Sequence, residues 1–466
     1  MSPNPVIDPQ PHQGMRTFVL MWLGSTVSML GSALTGFVLG VWAFRETGSA
    51  TLYSLIAVAG MVPSILLSPV AGALADRWDR RLTMVWCTVV AILVTSVITF
   101  LLVTGRLEVW HLYLTATVMS LVVALERPAS MGATTVLIPP RHFARASGMM
   151  QFGGASIRIV APVLAGILLG VMHEAGVLLI DLVSFVAVLG VLLAIRIPPP
   201  PARPAGAPPR PALWRDAATG WRYIRARPGI FGLLVYFATI GIAPTVSMVL
   251  LTPLVLRFAD TQVLGSVMSV AGLGALTGGL LMSTWGGPRR RFHGIIGAGV
   301  ILGVSVIVAG VRMDPRWIAA GAFGIMMGGP IMTTSFNALW QVKTPLELHG
   351  RVFATILMIA ESSAPLALLA AGPATDYFLE PLMRPGGALA GTFGPVLGVG
   401  EGRGIGLLYV FLGVFVLGVT AVASRLPRLR FAEDELADAV APPAPAGQEP
   451  AAPVPAAAGA EPAPSM

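Results

Sequence analysis

The sequence predicts an all-α polytopic membrane protein: twelve transmembrane helices in two pseudo-repeated six-helix halves, with both termini cytosolic. Three observations carry this. The 466 residues are 55% hydrophobic and only 11% charged, whereas a soluble domain carries about 25% charged residues. Such a chain has too little polar surface to cover itself in water, and its mean hydropathy is +0.79. Uncharged runs near the length that spans a bilayer as a helix recur along it. Finally, the basic residues gather in alternate connections between those runs.

The first run, residues 17–43, is too long for the apolar core of a cleaved signal and reads as a span. The second is 50–75. A short stretch, GALADRWDRR (Gly72–Arg81), then holds five charges: Asp76, Arg77, Asp79, Arg80 and Arg81. Spans follow at 82–104, 110–138, 145–172 and 175–195. After the linker come 230–256, 262–285, 292–311, 317–341, 351–379 and 404–424. Pro128, Pro162, Pro330 and Pro365 interrupt spans 4, 5, 10 and 11 and offer bends. In lipid the backbone must bond to itself, which favours helices throughout.

One set of alternate connections holds Arg16, Arg77, Arg80, Arg81, Arg141, Arg145, seven arginines between Arg196 and Arg227, Arg289, Arg290, Arg291, Lys343, Arg351, Arg425, Arg428 and Arg430, 21 basic residues in all. The other set holds 7: Arg45, Arg106, Arg257, Arg312, Arg316, Arg384 and Arg403. The positive-inside rule puts the first set in the cytosol. The net charge of +8 is therefore explained by topology, and no nucleic-acid partner is expected.

Five regions follow: a cytosolic N-terminal segment (1–15), an N-terminal six-helix half (16–196), a Pro-rich cytosolic linker ending in an amphipathic helix (197–228), a C-terminal six-helix half (229–430) and an Ala/Pro-rich tail expected to be disordered (431–466). In the linker, Trp214, Ala218, Trp221 and Ile224 recur at helical spacing, so that helix is expected to lie on the cytosolic leaflet. The halves also echo each other. LADRWDRR after span 2 is matched by WGGPRRR after span 8, and RASGMM opening span 5 by GRVFAT opening span 11. Arg145, Arg289, Arg290 and Arg351 are thus the second-half and helix-start counterparts of the first loop. Parallel six-helix repeats are a transporter architecture.

These features resemble the major facilitator superfamily over about Arg16–Arg430. Gly72, Asp76, Arg77, Arg80 and Arg81 match its loop motif between helices 2 and 3, G-x-x-x-D-R-x-G-R-R, with Asp79 in place of the second glycine. The resemblance implies a cytosolic gate there. Gly148, Pro162 and Gly166 match part of the antiporter signature in helix 5. Ile157, Ala161 and Ala165 depart from it, and small-residue packing accounts for such a helix equally well. ERPASMGATTVLIPP, GWRYIRARPG, HGRVFAT and GRGIGLLYV are similar to the drug-efflux branch, which contains macrolide and enterobactin exporters. They most resemble members associated with nonribosomal peptide or polyketide metabolites. What this implies is a secondary active transporter in a bacterial inner membrane. It would export amphipathic antibiotics, siderophores or peptide and polyketide metabolites by proton antiport and alternating access. An importer or facilitator on the same fold, or a non-transporting scaffold, are the alternatives.

Charges at membrane depth are functional candidates because they are costly there. Glu126 and Arg127 in span 4, Arg158 in span 5 and Glu361 in span 11 all reach mid-bilayer. Arg158 is the expected partner of Glu126. Asp181 stays a candidate proton or substrate residue, although its depth suggests the outer interface. Asp376 ends span 11 and reads as structural. Trp22, Met119, Phe152, Met326, Met327, Phe336 and Trp340 could line a cavity, though packing explains most of them.

Enzyme chemistry is not expected. Cys87 is the one cysteine and Lys343 the one lysine, so neither a cysteine metal cluster nor a Gly-Lys-Ser/Thr phosphate loop can be written. GVGEGRG (Gly398–Gly404) falls in a Gly-rich outer loop, about Glu380–Arg403. The expected partners are a small molecule, protons and lipid. No cofactor and no ATP are expected, and the proton gradient supplies the energy.

Overall fold

A computed structural model describes residues 11–75, 78–139, 142–195, 221–288, 290–345 and 348–430. No strand occurs among them, and twelve helices are long and apolar enough to cross a membrane. They are α1 (Pro11–Thr47), α2 (Ala50–Ala75), α3 (Arg80–Val103), α4 (Val109–Leu137), α5 (Phe143–Val171), α6 (Glu174–Ala194), α7 (Pro228–Leu256), α8 (Thr261–Trp285), α9 (Arg291–Val311), α10 (Pro315–Lys343), α11 (His349–Pro373) and α12 (Arg403–Arg425). α11 runs on through a π-helical turn, Ala374–Leu379, and a last turn, Glu380–Met383. A short helix, Ala390–Leu397, lies in the connection to α12. With an even number of spans, α1 begins and α12 ends on one face, here the terminal side. The opposite face is the far side.

The repeat is visible in the packing. Within the first half, α1 packs on α5 and α6, α2 on α4, and α3 on α4 and α6. Adding six to every label gives the second half: α7 on α11 and α12, α8 on α10, and α9 on α10 and α12. The two main seams between halves obey the same symmetry, α5 against α8 and α2 against α11. The peripheral helices show stripes of exposed apolar side chains. Leu93, Val97 and Phe100 do so on α3, and Phe411, Val414 and Phe415 on α12. Such faces fit a hydrocarbon solvent.

The helix ends are set by local chemistry. Pro228 and Pro315 occupy first helical positions, where a missing N–H costs nothing. Asp260 and Asp314 cap α8 and α10 through their side chains. Gly48, with φ +60, turns the chain from α1 into α2.

Two segments differ from the sequence reading. Of the linker helix, only 221–225 falls in the described part. There Ile224 is fully buried in the C-terminal half's core, and the Tyr223 hydroxyl donates to the Lys343 carbonyl at 2.8 Å. Of its apolar face, Ile224 therefore leans on protein and Trp221 is exposed, while Trp214 and Ala218 lie outside the described residues. The amphipathic pattern cannot tell lipid from a neighbouring helix, since both take the same side chains. The Gly-rich loop is also more ordered than its composition suggests. The Glu380 carboxylate accepts from the Gly402 and Gly404 amides and so fills the anion-favouring start of α12. The tail, 431–466, lies outside the described residues.

Candidate transport pathway between the halves

The two halves touch along the far side, and the α5–α8 seam parts toward the terminal side. On the α5–α8 seam, a methyl group at Gly265 would collide with the Pro162 carbonyl. One at Gly166 would lie 2.8 Å from the Thr261 carbonyl oxygen, and one at Gly272 would lie 2.8 Å from that of Arg158. Ser269 Oγ donates to the Ile159 carbonyl at 2.5 Å. Beyond Arg158 and Gly272 the seam opens: Gly148 and Gly154 on α5 and Gly279 on α8 have no neighbour within 4 Å of a would-be Cβ. Phe152 is 70% exposed. On the α2–α11 seam, Gly372 abuts Ser54 and Thr51, and Asp376 bonds to the start of α2. Pro162 and Gly166 of the antiporter-like motif therefore build the inter-half seam, while Gly148 faces open space.

The intramembrane charges lie at mid-depth. At 1.5 Å per residue, Glu126, Arg158 and Glu361 lie roughly 15–25 Å from the terminal-side ends of α4, α5 and α11. The Arg158 carbonyl meets α8 at Gly272, and its side chain is exposed. Arg127 and Glu361 are also exposed, and Glu126 is half-buried. Among the described residues no ion pair joins Glu126 to Arg158, contrary to the pairing read from the sequence. α4 packs mainly on α2 and α3, whereas α5 packs mainly on α8 and α1, so α1 stands between them.

Asp181 does not face the outer interface. It is buried against α1, 1% exposed, with Ser32 Oγ and Ser184 Oγ each 3.4 Å from its Oδ1. Gly31 makes this contact possible, because a methyl group there would lie 2.6 Å from that oxygen. Several cavity candidates are packing residues instead. Phe336 stacks on Phe237 at 4.2 Å between centroids, and Phe336 and Trp340 belong to the second half's core. Trp22 Nε1 donates to the Met149 carbonyl, joining α1 to α5.

The gate motif is only partly described. Asp76, Arg77 and Arg289 lie outside the described residues, and the side chain of Arg351 does as well. Arg80 Nη1 donates to the Gly132 carbonyl at 2.8 Å. Arg81 donates to the carbonyls of Leu192 at 2.8 Å and Leu193 at 2.6 Å, satisfying orphan groups at the C-terminus of α6. These contacts tie the loop to α4 and α6 of its own half. Arg145 and Arg290 are exposed on the terminal side. No group of three or more His, Cys, Asp or Glu that could hold a metal ion occurs among the described residues.

Residues 21–368 match the family model described as Major Facilitator Superfamily. This chain belongs to the Major Facilitator Superfamily. Macrolide efflux protein A of Streptococcus pyogenes is 26% identical over 363 residues, 76% of this chain and 87% of the relative. Multidrug efflux pump Tap of Mycolicibacterium fortuitum is 24% identical over 426 residues, 88% and 96%. Among solved structures, an inward-facing, unoccupied bacterial homologue of the human lysosomal transporter Spinster aligns with a TM-score of 0.65 at 16% identity, covering 92% of this chain and 98% of that one. A bacterial homologue of the iron transporter ferroportin, also inward-facing, aligns at 0.60 and 15%, covering 88% and 99%. At such identities these two establish the fold alone. As a major facilitator, the chain is a multi-pass bacterial membrane transporter and not an enzyme.

Two features escaped the sequence reading: Arg257, which reaches across to the α1–α2 turn, and the clamp formed by Glu380. Their partners lie far along the chain, and no local pattern marks them.

Proposed function

We infer that this transporter exports amphipathic small molecules from the cytosol in exchange for protons, by alternating access. The observation that carries the reading is the shape: halves in contact along the far side, with the α5–α8 seam parted on the terminal side and Arg127, Arg158 and Glu361 exposed at mid-depth. The excess of basic residues on the terminal side supports a cytosolic location for it. The conformation is then inward-facing, ready to take substrate from the cytosol. The efflux relatives support the direction of transport.

In this reading Glu126 and Glu361 are the proton carriers. A carboxyl that is neutral while one side is open and charged while the other is open gives the two states different affinities for the proton, which is all that coupling requires. Arg127 and Arg158 are counter-charges at similar depth that substrate or proton can compete for. Asp76, Arg77, Arg80 and Arg81, with Arg145, Arg289, Arg290 and Arg351, would close the cytosolic side in the opposite state.

Proteoliposomes carrying an imposed pH gradient and a radiolabelled macrolide test this. Glu126→Gln should lose most gradient-driven uptake into inside-out vesicles while still binding the macrolide, and Glu361→Gln should be partly impaired. If both single variants and the double variant couple uptake to the gradient like the parent, the carboxylates are structural and proton antiport through them is wrong.

A further inference from the structure

The connection between α1 and α2 is held from both ends by the opposite half. At its far end is the start of α2, where the first backbone N–H groups lack helical partners. Asp376, in the π-helical turn that continues α11, fills them. One carboxylate oxygen accepts from the Thr51 amide at 2.8 Å and from Ser49 Oγ at 2.7 Å. The other accepts from the Ala50 amide at 3.2 Å. At its near end is the close of α1. There Arg257, which follows α7, donates through Nη2 to the Gly48 carbonyl at 2.7 Å. The guanidinium lies over the Phe44 ring, 5.4 Å from its centroid, and Glu401 stands 3.7 Å away.

The charges suit the ends they meet. A helix carries partial positive charge at its N-terminus and partial negative charge at its C-terminus. The acid sits at the positive start of α2 and the base at the negative close of α1. Neither can come from the half that owns the turn, so both contacts exist only while the far sides of the halves touch. Gly372, one turn before Asp376 on α11, lets the helices approach closely enough for this: a methyl group there would lie 2.8 Å from the Thr51 Cα. A crevice lined by Phe44, Arg45, Gly48, Leu256, Arg257 and Ala259 brings solvent to the clamp's edge. Water can therefore replace the contacts when they break, which makes the closure reversible.

We propose that Asp376 and Arg257 form the outer gate of this transporter, a two-ended electrostatic clamp on the α1–α2 turn that holds the far side shut while the terminal side is open. The gate rests on the alternating-access reading above. It needs no knowledge of substrate or of coupling ion.

The test is a pair of distances in the full chain, purified in a Cys87→Ser background. Spin labels at Arg106→Cys and Arg316→Cys report the far side, one in each half. Labels at Gln151→Cys and Ser283→Cys report the terminal side; all four positions are exposed. Asp376→Ala and Arg257→Ala should each move a large part of the population to a longer far-side distance and a shorter terminal-side one. Asp376→Asn, which keeps an acceptor, should move less, and Glu401→Gln should move little. Asp376→Asn combined with Arg257→Gln, which preserves volume, reads the same change if the alanine variants do not fold. Distances unchanged from the parent in the monodisperse double variant overturn the gate. So does far-side lengthening without terminal-side shortening, which would mean local loosening. Failure of the export reading shows separately, as absence of flux in the parent.

Discussion

Asp79 stands where the loop motif of the family has a glycine, and the structure gives the reason the exchange is tolerated. Its backbone is extended, φ −63 and ψ 119, so no left-handed conformation is needed. Its side chain accepts from the Leu82 amide at 2.9 Å and caps α3. Replacing an N-cap by alanine costs about 1 kcal/mol, and by glycine only a few tenths. Asp79→Ala should therefore lower the stability of the purified protein by about that amount, while Asp79→Asn and Asp79→Gly stay close to the parent. Thermal unfolding followed by tryptophan fluorescence in one detergent reads the order, and an alanine variant as stable as the parent would remove the cap from the account. Residue-scale features of this kind were half legible. The motif residues could be numbered from the sequence. That Asp79 caps, that Arg81 satisfies the end of α6, and that Glu380 bonds 22 residues downstream at Gly402 could not. The first is a local contact across three residues that the motif match passed over, and the other two depend on helices far along the chain.

The helices themselves were legible almost to their ends, because in a membrane the charged and turn-forming residues must sit where the hydrocarbon stops. The sequence reading placed α2 at 50–75 and α8 at 262–285. The structure gives Ala50–Ala75 and Thr261–Trp285. Which helices meet was less legible, since one apolar face looks like another. Small residues carry that information, and only at contacts closed in this state. Gly265 meets the Pro162 carbonyl, whereas Gly279, on the same helix toward the terminal side, meets nothing. The two glycines should therefore fail in opposite directions. Gly265→Val must force α5 and α8 apart and lengthen the Arg106–Arg316 label distance. Gly279→Val fits the present state and should instead trap it, because closing the terminal side would bring α5 onto that position. It should abolish flux and leave the far-side distance short. If both variants shift the distances the same way, the seam does not alternate between these two sets of glycines.

For the whole molecule, the packing symmetry limits what motion is available. The α5–α8 seam runs from a far-side contact toward an opening on the terminal side, and the α2–α11 seam is closed on the far side at Gly372 and Asp376. Inside each half the packing repeats helix for helix, which favours two rigid bodies that rock about mid-depth, near Arg158 and Gly272. Packed interfaces of this sort switch between discrete arrangements rather than deform continuously. A covalent bridge across the far side should then stop transport without touching the pathway. Ser49 Oγ lies 2.7 Å from an Asp376 carboxylate oxygen, so Ser49→Cys and Asp376→Cys, in a Cys87→Ser background, place two thiols on opposite halves within reach of a short bis-methanethiosulfonate reagent. The bridged protein should still bind macrolide from the terminal side, because that side stays open. Its flux should fall to the level of empty liposomes and return when a reductant cleaves the bridge, the reduced double variant serving as reference. Flux that persists in fully bridged protein would mean that substrate leaves without the far sides parting, and neither alternating access nor the clamp on the α1–α2 turn would survive that result.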